Sequence, residues 1–96
     1  MQIDLKNKVA LITGSTSGIG LTVAQILAKA GANIVLNGLG DLQQIEQIRQ
    51  NLEKEFKVKA IFANFNLLKP SEIKKMIEYI NTHLGGVDIL INNAGM

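Results

Sequence analysis

Residues 13–20 read Thr13-Gly14-Ser15-Thr16-Ser17-Gly18-Ile19-Gly20. Glycines at this spacing suit the holding of a diphosphate. Gly14 permits a tight turn, Gly18 offers bare backbone to an approaching pyrophosphate, and Gly20 lets a following helix sit close on its support. The first N–H groups of a helix opening here lack intrahelical partners and form the positive end of its dipole, which favours an anion. Ser15 and Ser17 can add hydroxyl donors. A glycine-rich turn without a ligand is the competing reading. Context separates the two, because a dinucleotide fingerprint needs a strand just before it and a helix just after.

Both elements are legible. Residues 8–13 (KVALIT) form a short apolar run without alternation, as expected of a strand buried on both faces. Ile19, Val23, Ile26, Leu27 and Ala30 then recur at helical spacing, and Gly31 is placed to close that helix. Residues 33–37 (NIVLN) read as a second strand, followed by a turn at Gly38-Leu39-Gly40. Asp41 is a capping residue with Gln44 as its reciprocal partner, and Leu42, Ile45, Ile48, Leu52 and Phe56 give the second helix its apolar stripe. Residues 59–65 (KAIFANF) are the third strand. Pro70 suits a first helical turn, although Lys69 before it is a poor cap, so this start is expected to fray. Ile73, Ile77, Ile80 and Leu84 are the expected buried face of the third helix, Gly85-Gly86 end it, and residues 87–92 (VDILIN) form a fourth strand.

Strands alternating with amphipathic helices predict an α/β fold with a parallel sheet. Right-handed crossovers and the doubly wound plan give strand order 3-2-1-4, a Rossmann-like arrangement of four strands and three helices over a single domain, residues 1–96. A ligand then belongs beyond the carboxyl ends of strands 1 and 4, where Thr13-Gly14 and Asn92-Asn93 lie.

Composition narrows the function. The net charge of +2 is small and dispersed, so no nucleic-acid footprint is expected. No cysteine is present, which removes disulfides, thiolate metal sites and thiol nucleophiles and fits a cytoplasmic protein. The start, Met1-Gln2-Ile3-Asp4-Leu5-Lys6, does not read as a secretory leader, and no apolar run approaches the ~20 residues of a membrane span. No metal cluster or catalytic triad is legible. The one tyrosine, Tyr79, is followed four residues on by His83 rather than a lysine, and reads as partly buried packing on the third helix. Asp88 marks a helix-to-strand turn, and Met76 and the leucines read as core.

The motif T-G-x-x-x-G-I-G at 13–20, with Asn92-Asn93-Ala94-Gly95 after the fourth strand, resembles the classical short-chain dehydrogenase/reductase family. Residues 8–21 and the stretch Asn37-Gly38-Leu39-Gly40 are most similar to its bacterial D-3-hydroxybutyrate dehydrogenases. The likeness runs along nearly the whole chain and covers the amino-terminal part of such an enzyme, so the fold is truncated relative to complete members. The resemblance implies an NAD-dependent oxidoreductase, with NADP not excluded, and homo-oligomers among full-length relatives. It places Gly14, Ser15, Ser17, Gly18, Ile19 and Gly20 at the pyrophosphate and nearby ribose, and Leu39 beside the adenosine. Asn92, Ala94 and Gly95 would line the ribose and central sheet. Asn66, followed by Leu67, stands where the family usually has an adenine-binding aspartate. An amide oxygen still accepts that bond, without the carboxylate's charge. Neither a carboxylate nor an arginine occupies the turn after strand 2, and Lys29 and Arg49 fall in helices. The family's Ser, Tyr-x-x-x-Lys and Asn catalytic groups follow N-N-A-G, so these 96 residues are expected to bind a dinucleotide without turning over a substrate. The apolar fourth strand is expected to offer an edge for pairing.

Overall fold

The computed structural model describes residues 3–93. The order is β1 (Val9–Ile12), α1 (Gly18–Lys29), β2 (Asn33–Leu36), α2 (Leu42–Phe56), β3 (Ala60–Phe62), α3 (Pro70–Leu84) and β4 (Ile89–Ile91). The sheet is wholly parallel in the order β3-β2-β1-β4, the Rossmann-like topology expected from the sequence.

Alternation along the strands divides the core in two. Ala10, Ile12, Ile34, Leu36 and Ala60 face α1 and α2, while Val9, Leu11, Val35 and Ala63 face α3. Helices on both faces explain why the central strands are unbroken apolar runs. The amino ends of the strands are locked by side chains: Asp88 accepts from the Val9 N–H at 2.8 Å, and Asn33 Oδ1 accepts from the Lys59 N–H at 2.9 Å.

Every strand is shorter than its apolar run. Pairing of β3 ends at Phe62 because β2 ends at Leu36, whose carbonyl takes the last ladder bond from Ala63. Ala63 and Phe65 instead turn their carbonyls toward a side chain of the β2 tip, described below.

The helix faces differ from the periodicity in an informative way. On α1 the residues against the sheet are Gly20, Ala24 and Ala28, with Val23 and Leu27 beside them, while Ile19 and Ile26 are 74% and 62% exposed. The small residues let the helix axis approach the strands closely. That rotation leaves the isoleucines, at the edge of the expected stripe, outside. On α3 the buried residues are Met76 and Ile80, and Ile73 and Ile77 lie on the flank. Tyr79 packs against Phe65 with ring centroids 5.7 Å apart. Leu42 on α2 is also exposed, as are Leu39, Leu68 and Leu90, so the leucines are not uniformly core.

The caps follow local chemistry. Asp41 Oδ1 accepts from the N–H groups of Gln43 and Gln44, a one-sided version of the expected box. Gly31 follows α1 with φ +104°, as its C′ position requires. Lys69 gives α3 no side-chain cap, but Asn66 and Glu72 bracket the start: Asn66 Oδ1 accepts from the Leu68 N–H, and Glu72 Oε1 accepts from the Asn66 N–H.

On α2, Arg49 is held between Glu46 and Glu53 at 2.6 and 2.8 Å. The hydrogen bonds from Arg49, then from Gln50, lower the Glu46 pKa from 4.5 to about 2, and the same contact with Glu46 raises that of Arg49. The folded value of Glu46 lies below its ordinary one. Its stabilising contribution is therefore complete above pH 4.5 and disappears as the pH falls through about 2. A carboxyl chemical-shift titration should show this depressed midpoint, and Arg49→Met should return it toward 4.5. Ala24→Leu should destabilise the fold by about 1–3 kcal/mol in denaturant titrations, because the added side chain must push α1 off the sheet.

Candidate functional site

A chain of hydrogen bonds crosses the carboxyl ends of the four strands. At the tip of β1, the Thr13 hydroxyl donates to Asn92 Oδ1 at 3.1 Å and accepts from the Asn93 N–H at 2.9 Å. Asn93 Nδ2 donates to the Gly14 carbonyl at 3.2 Å. These bonds join β1 to β4. On the other side, the Ser15 N–H donates to the Asn37 carbonyl at 2.8 Å, and the Asn37 N–H donates to Ser15 Oγ at 3.0 Å, joining β1 to β2. Asn37 Nδ2 then donates to the carbonyls of Ala63 and Phe65 at 3.0 and 3.3 Å, joining β2 to β3. The Thr16 hydroxyl donates to the Leu39 carbonyl at 2.6 Å and draws the turn after β2 onto the glycine-rich turn.

This network changes the reading of Ser15. Its side chain is fully buried and its hydroxyl engages Asn37, so it holds the two turns together instead of pointing a donor into open space. Ser17 is different. It is exposed, stands as the N-cap of α1 and makes no side-chain capping bond. No acidic side chain occupies the first turn of α1. Ser17 is thus an exposed residue at a helix start that has no acidic side chain beside it.

Two glycines are required, one by what surrounds it and one by its backbone conformation. A Cβ at Gly20 would overlap the Gly14 carbonyl oxygen and come within 2.8 Å of Asn93 Nδ2, so only glycine lets α1 begin this close to β1 and β4. Gly18 has φ +58°, and a Cβ there would enter open space with no atom within 4 Å. Its backbone is thus bare on the outside, the form a cradle for an anion takes.

Beside these turns lies a cleft of about 650 Å³, open to solvent. Gly14, Thr16 and Ser17 form one wall, Asn37, Gly38 and Leu39 the floor and rim, and residues 64–68 the opposite wall. Leu39 and Leu68, both among its lining residues, are 93% and 91% exposed. Of the residues singled out in the sequence, Gly14, Ser17, Leu39, Asn66 and Leu67 meet here. Gly18 and Ile19 lie where α1 opens, and Asn92 lies across β1, engaged with Thr13. Ala94 and Gly95 are outside the described residues. Asn66 is exposed, but its side-chain oxygen already accepts from Leu68. Thr16, Asn37 and Asn93 were not singled out as site residues. Their types and places at strand tips were visible, but their bonds depend on which tips the fold makes adjacent. Among the described residues, no three His, Asp or Glu groups could hold a metal ion, and no helix is long and apolar enough to cross a membrane.

The family model described as short chain dehydrogenase matches residues 8–96. The chain belongs to this family. Among its relatives, the D-beta-hydroxybutyrate dehydrogenase of Rhizobium meliloti strain 1021 is 47% identical over 89 residues, covering 93% of this chain and 34% of the relative. The 3-oxoacyl-acyl-carrier-protein reductase of Aquifex aeolicus strain VF5 is 38% identical over 96 residues, covering 100% of this chain and 38% of the relative. The crystal structure of L-sorbose reductase from Gluconobacter frateurii, complexed with NADPH and L-sorbose, superposes with a TM-score of 0.90 at 36% identity, covering 100% of this chain and 36% of that one. The chain thus spans roughly a third of the length of these proteins.

Ser15→Ala should destabilise the chain by about 1–3 kcal/mol in urea titrations, because it leaves the buried Asn37 N–H without its acceptor. Gly20→Ala should also destabilise it, with local shifts in the amide spectrum at Gly14 and Asn93.

Proposed function

We propose that the chain is the cofactor-binding part of an oxidoreductase, spans residues 1–96 of its dinucleotide-binding unit, and takes NAD at the cleft beyond β1 and β2. The observation that carries this reading is the bare Gly18 backbone at an acid-free helix start, beside a cleft lined by the exposed Leu39 and Leu68. On this reading Gly14, Ser17, Gly18, Ile19 and Gly20 meet the diphosphate, with Ser15 supporting them from below. Leu39, Asn66 and Leu67 border the adenosine, and Asn92, Ala94 and Gly95 lie toward the ribose and the sheet. The bound cofactor supplies the hydride acceptor. The chain's own contribution is to bind and orient it.

The preference for NAD rests on charge. The turn Asn37-Gly38-Leu39 carries no cation for a 2′-phosphate. Arg49 is committed to Glu46, Glu53 and the Ala60 carbonyl, and Lys29 sits in the last turn of α1, at the end away from the cleft. The NADPH complex of the L-sorbose reductase favours the alternative, so both cofactors must be tested.

The similarity to D-beta-hydroxybutyrate dehydrogenase supports oxidation of (R)-3-hydroxybutyrate to acetoacetate as the reaction of the whole protein. Reduction of a 3-oxoacyl carrier-protein substrate is the second reading, supported by the Aquifex relative. The 96 residues contain no Tyr-x-x-x-Lys pair, so on this reading they bind without turnover. The outer side of β4, where Leu90 is exposed, is the edge proposed for pairing with a further strand.

Calorimetry on monodisperse chain should show NAD binding at least about tenfold tighter than NADP, a difference of 1.4 kcal/mol. No heat with either at millimolar concentration would overturn the proposal. Gly18→Ala should weaken NAD by about tenfold or more while lowering stability by only about 1 kcal/mol, the strain of a left-handed alanine. Assays with NAD and (R)-3-hydroxybutyrate should give no NADH from the 96-residue chain.

A further inference from the structure

β3 is one outer strand of the sheet, and its residues alternate in direction. The Lys59 carbonyl and the Ala63 N–H bond to β2, so the backbone groups of Ala60 and Phe62 point away from the sheet. An exposed row of this kind is a template for another strand.

Two side chains of α2 occupy that position at Ala60. Glu53 Oε2 accepts from the Ala60 N–H at 3.0 Å, and Arg49 Nη1 donates to the Ala60 carbonyl at 3.1 Å. The same two side chains bond each other, Arg49 Nη1 to Glu53 Oε1 at 2.8 Å. Together they present one acceptor and one donor to one residue of the edge, as a neighbouring strand would. Arg49 is further fixed by Glu46, with its Nε and Nη2 on that carboxylate. Only 23% of the Arg49 side chain is exposed.

We infer that Arg49 and Glu53 act as a surrogate strand that closes the outer edge of β3 against addition of a second copy of this chain. The strand has three residues, so engaging Ala60 leaves Phe62 as the other outward position, too short a run for a ladder. A simpler account is that the charges only stabilise α2 as i,i+3 and i,i+4 pairs, which are worth little on a helix surface. The two accounts part at Glu46, whose carboxylate bonds Arg49 and Gln50 of its own helix, whereas Glu53 and Arg49 bond the backbone of Ala60.

The chain has no cysteine, so Lys59→Cys introduces a unique thiol at the exposed residue just before β3. A short bis-maleimide then reports copies that meet at this edge. On the Arg49→Ala/Glu53→Ala background, cross-linked dimer should rise by about tenfold over Lys59→Cys alone, the equivalent of 1.4 kcal/mol in association. On the Glu46→Ala background it should remain near the starting level. Equal yields on all three backgrounds, or a rise with Glu46→Ala matching that of the double variant, would overturn the inference. Circular dichroism establishes that each variant is folded. Should the double variant not fold, Glu53→Ala alone frees the Ala60 N–H and is read by the same criterion.

Discussion

The site depends on adjacency at the carboxyl ends of the strands. A parallel sheet leaves the peptide groups at these ends without ladder partners, and burial without partners would be unfavourable. Here Thr13, Ser15, Asn37 and Asn93 supply them. The bonds run continuously from the β4 tip through β1 and β2 to β3, so the glycine-rich turn is fixed by the whole sheet and not by its own helix alone. The leading N–H groups of α1 and the cleft wall at residues 64–68 are held in one frame as a result.

The fold was legible in the sequence because its strongest signals are local. Unbroken apolar runs, glycine punctuation and the Asp41 cap each point to one element, and four strands separated by three helices admit few topologies. The helix faces were less legible. Counting large apolar residues put Ile19 and Ile26 inside, whereas the sheet-facing surface of α1 is Gly20, Ala24 and Ala28. Hydrophobic periodicity weights size, while close approach of a helix to a sheet selects smallness. On α3 the face is turned for a different reason, since the large Met76 and Ile80 face the strands and leave Ile73 and Ile77 on the flank.

The glycine positions of the candidate site could also be read directly, since a missing side chain has consequences at its own residue. Hydroxyls and amides could not. Ser15 and Ser17 have the same chemistry two residues apart, yet one is buried on Asn37 and the other exposed. Only the closure of β2 onto β1 distinguishes them. Asn66 is intermediate: it lines the cleft, while its bond to Leu68 depends on a turn that residue type alone does not specify.

The inward face of α1 has one more effect. Glycine and alanine have no side-chain rotamers to freeze, so Gly20, Ala24 and Ala28 add no side-chain entropy cost to seating this helix, and the loss is confined to Val23 and Leu27 beside them. There are also no alternative rotamers through which the contact could rearrange. The first turn of α1 therefore takes a position set at Gly20 by backbone against backbone, with the Gly14 carbonyl where any larger residue would put its side chain.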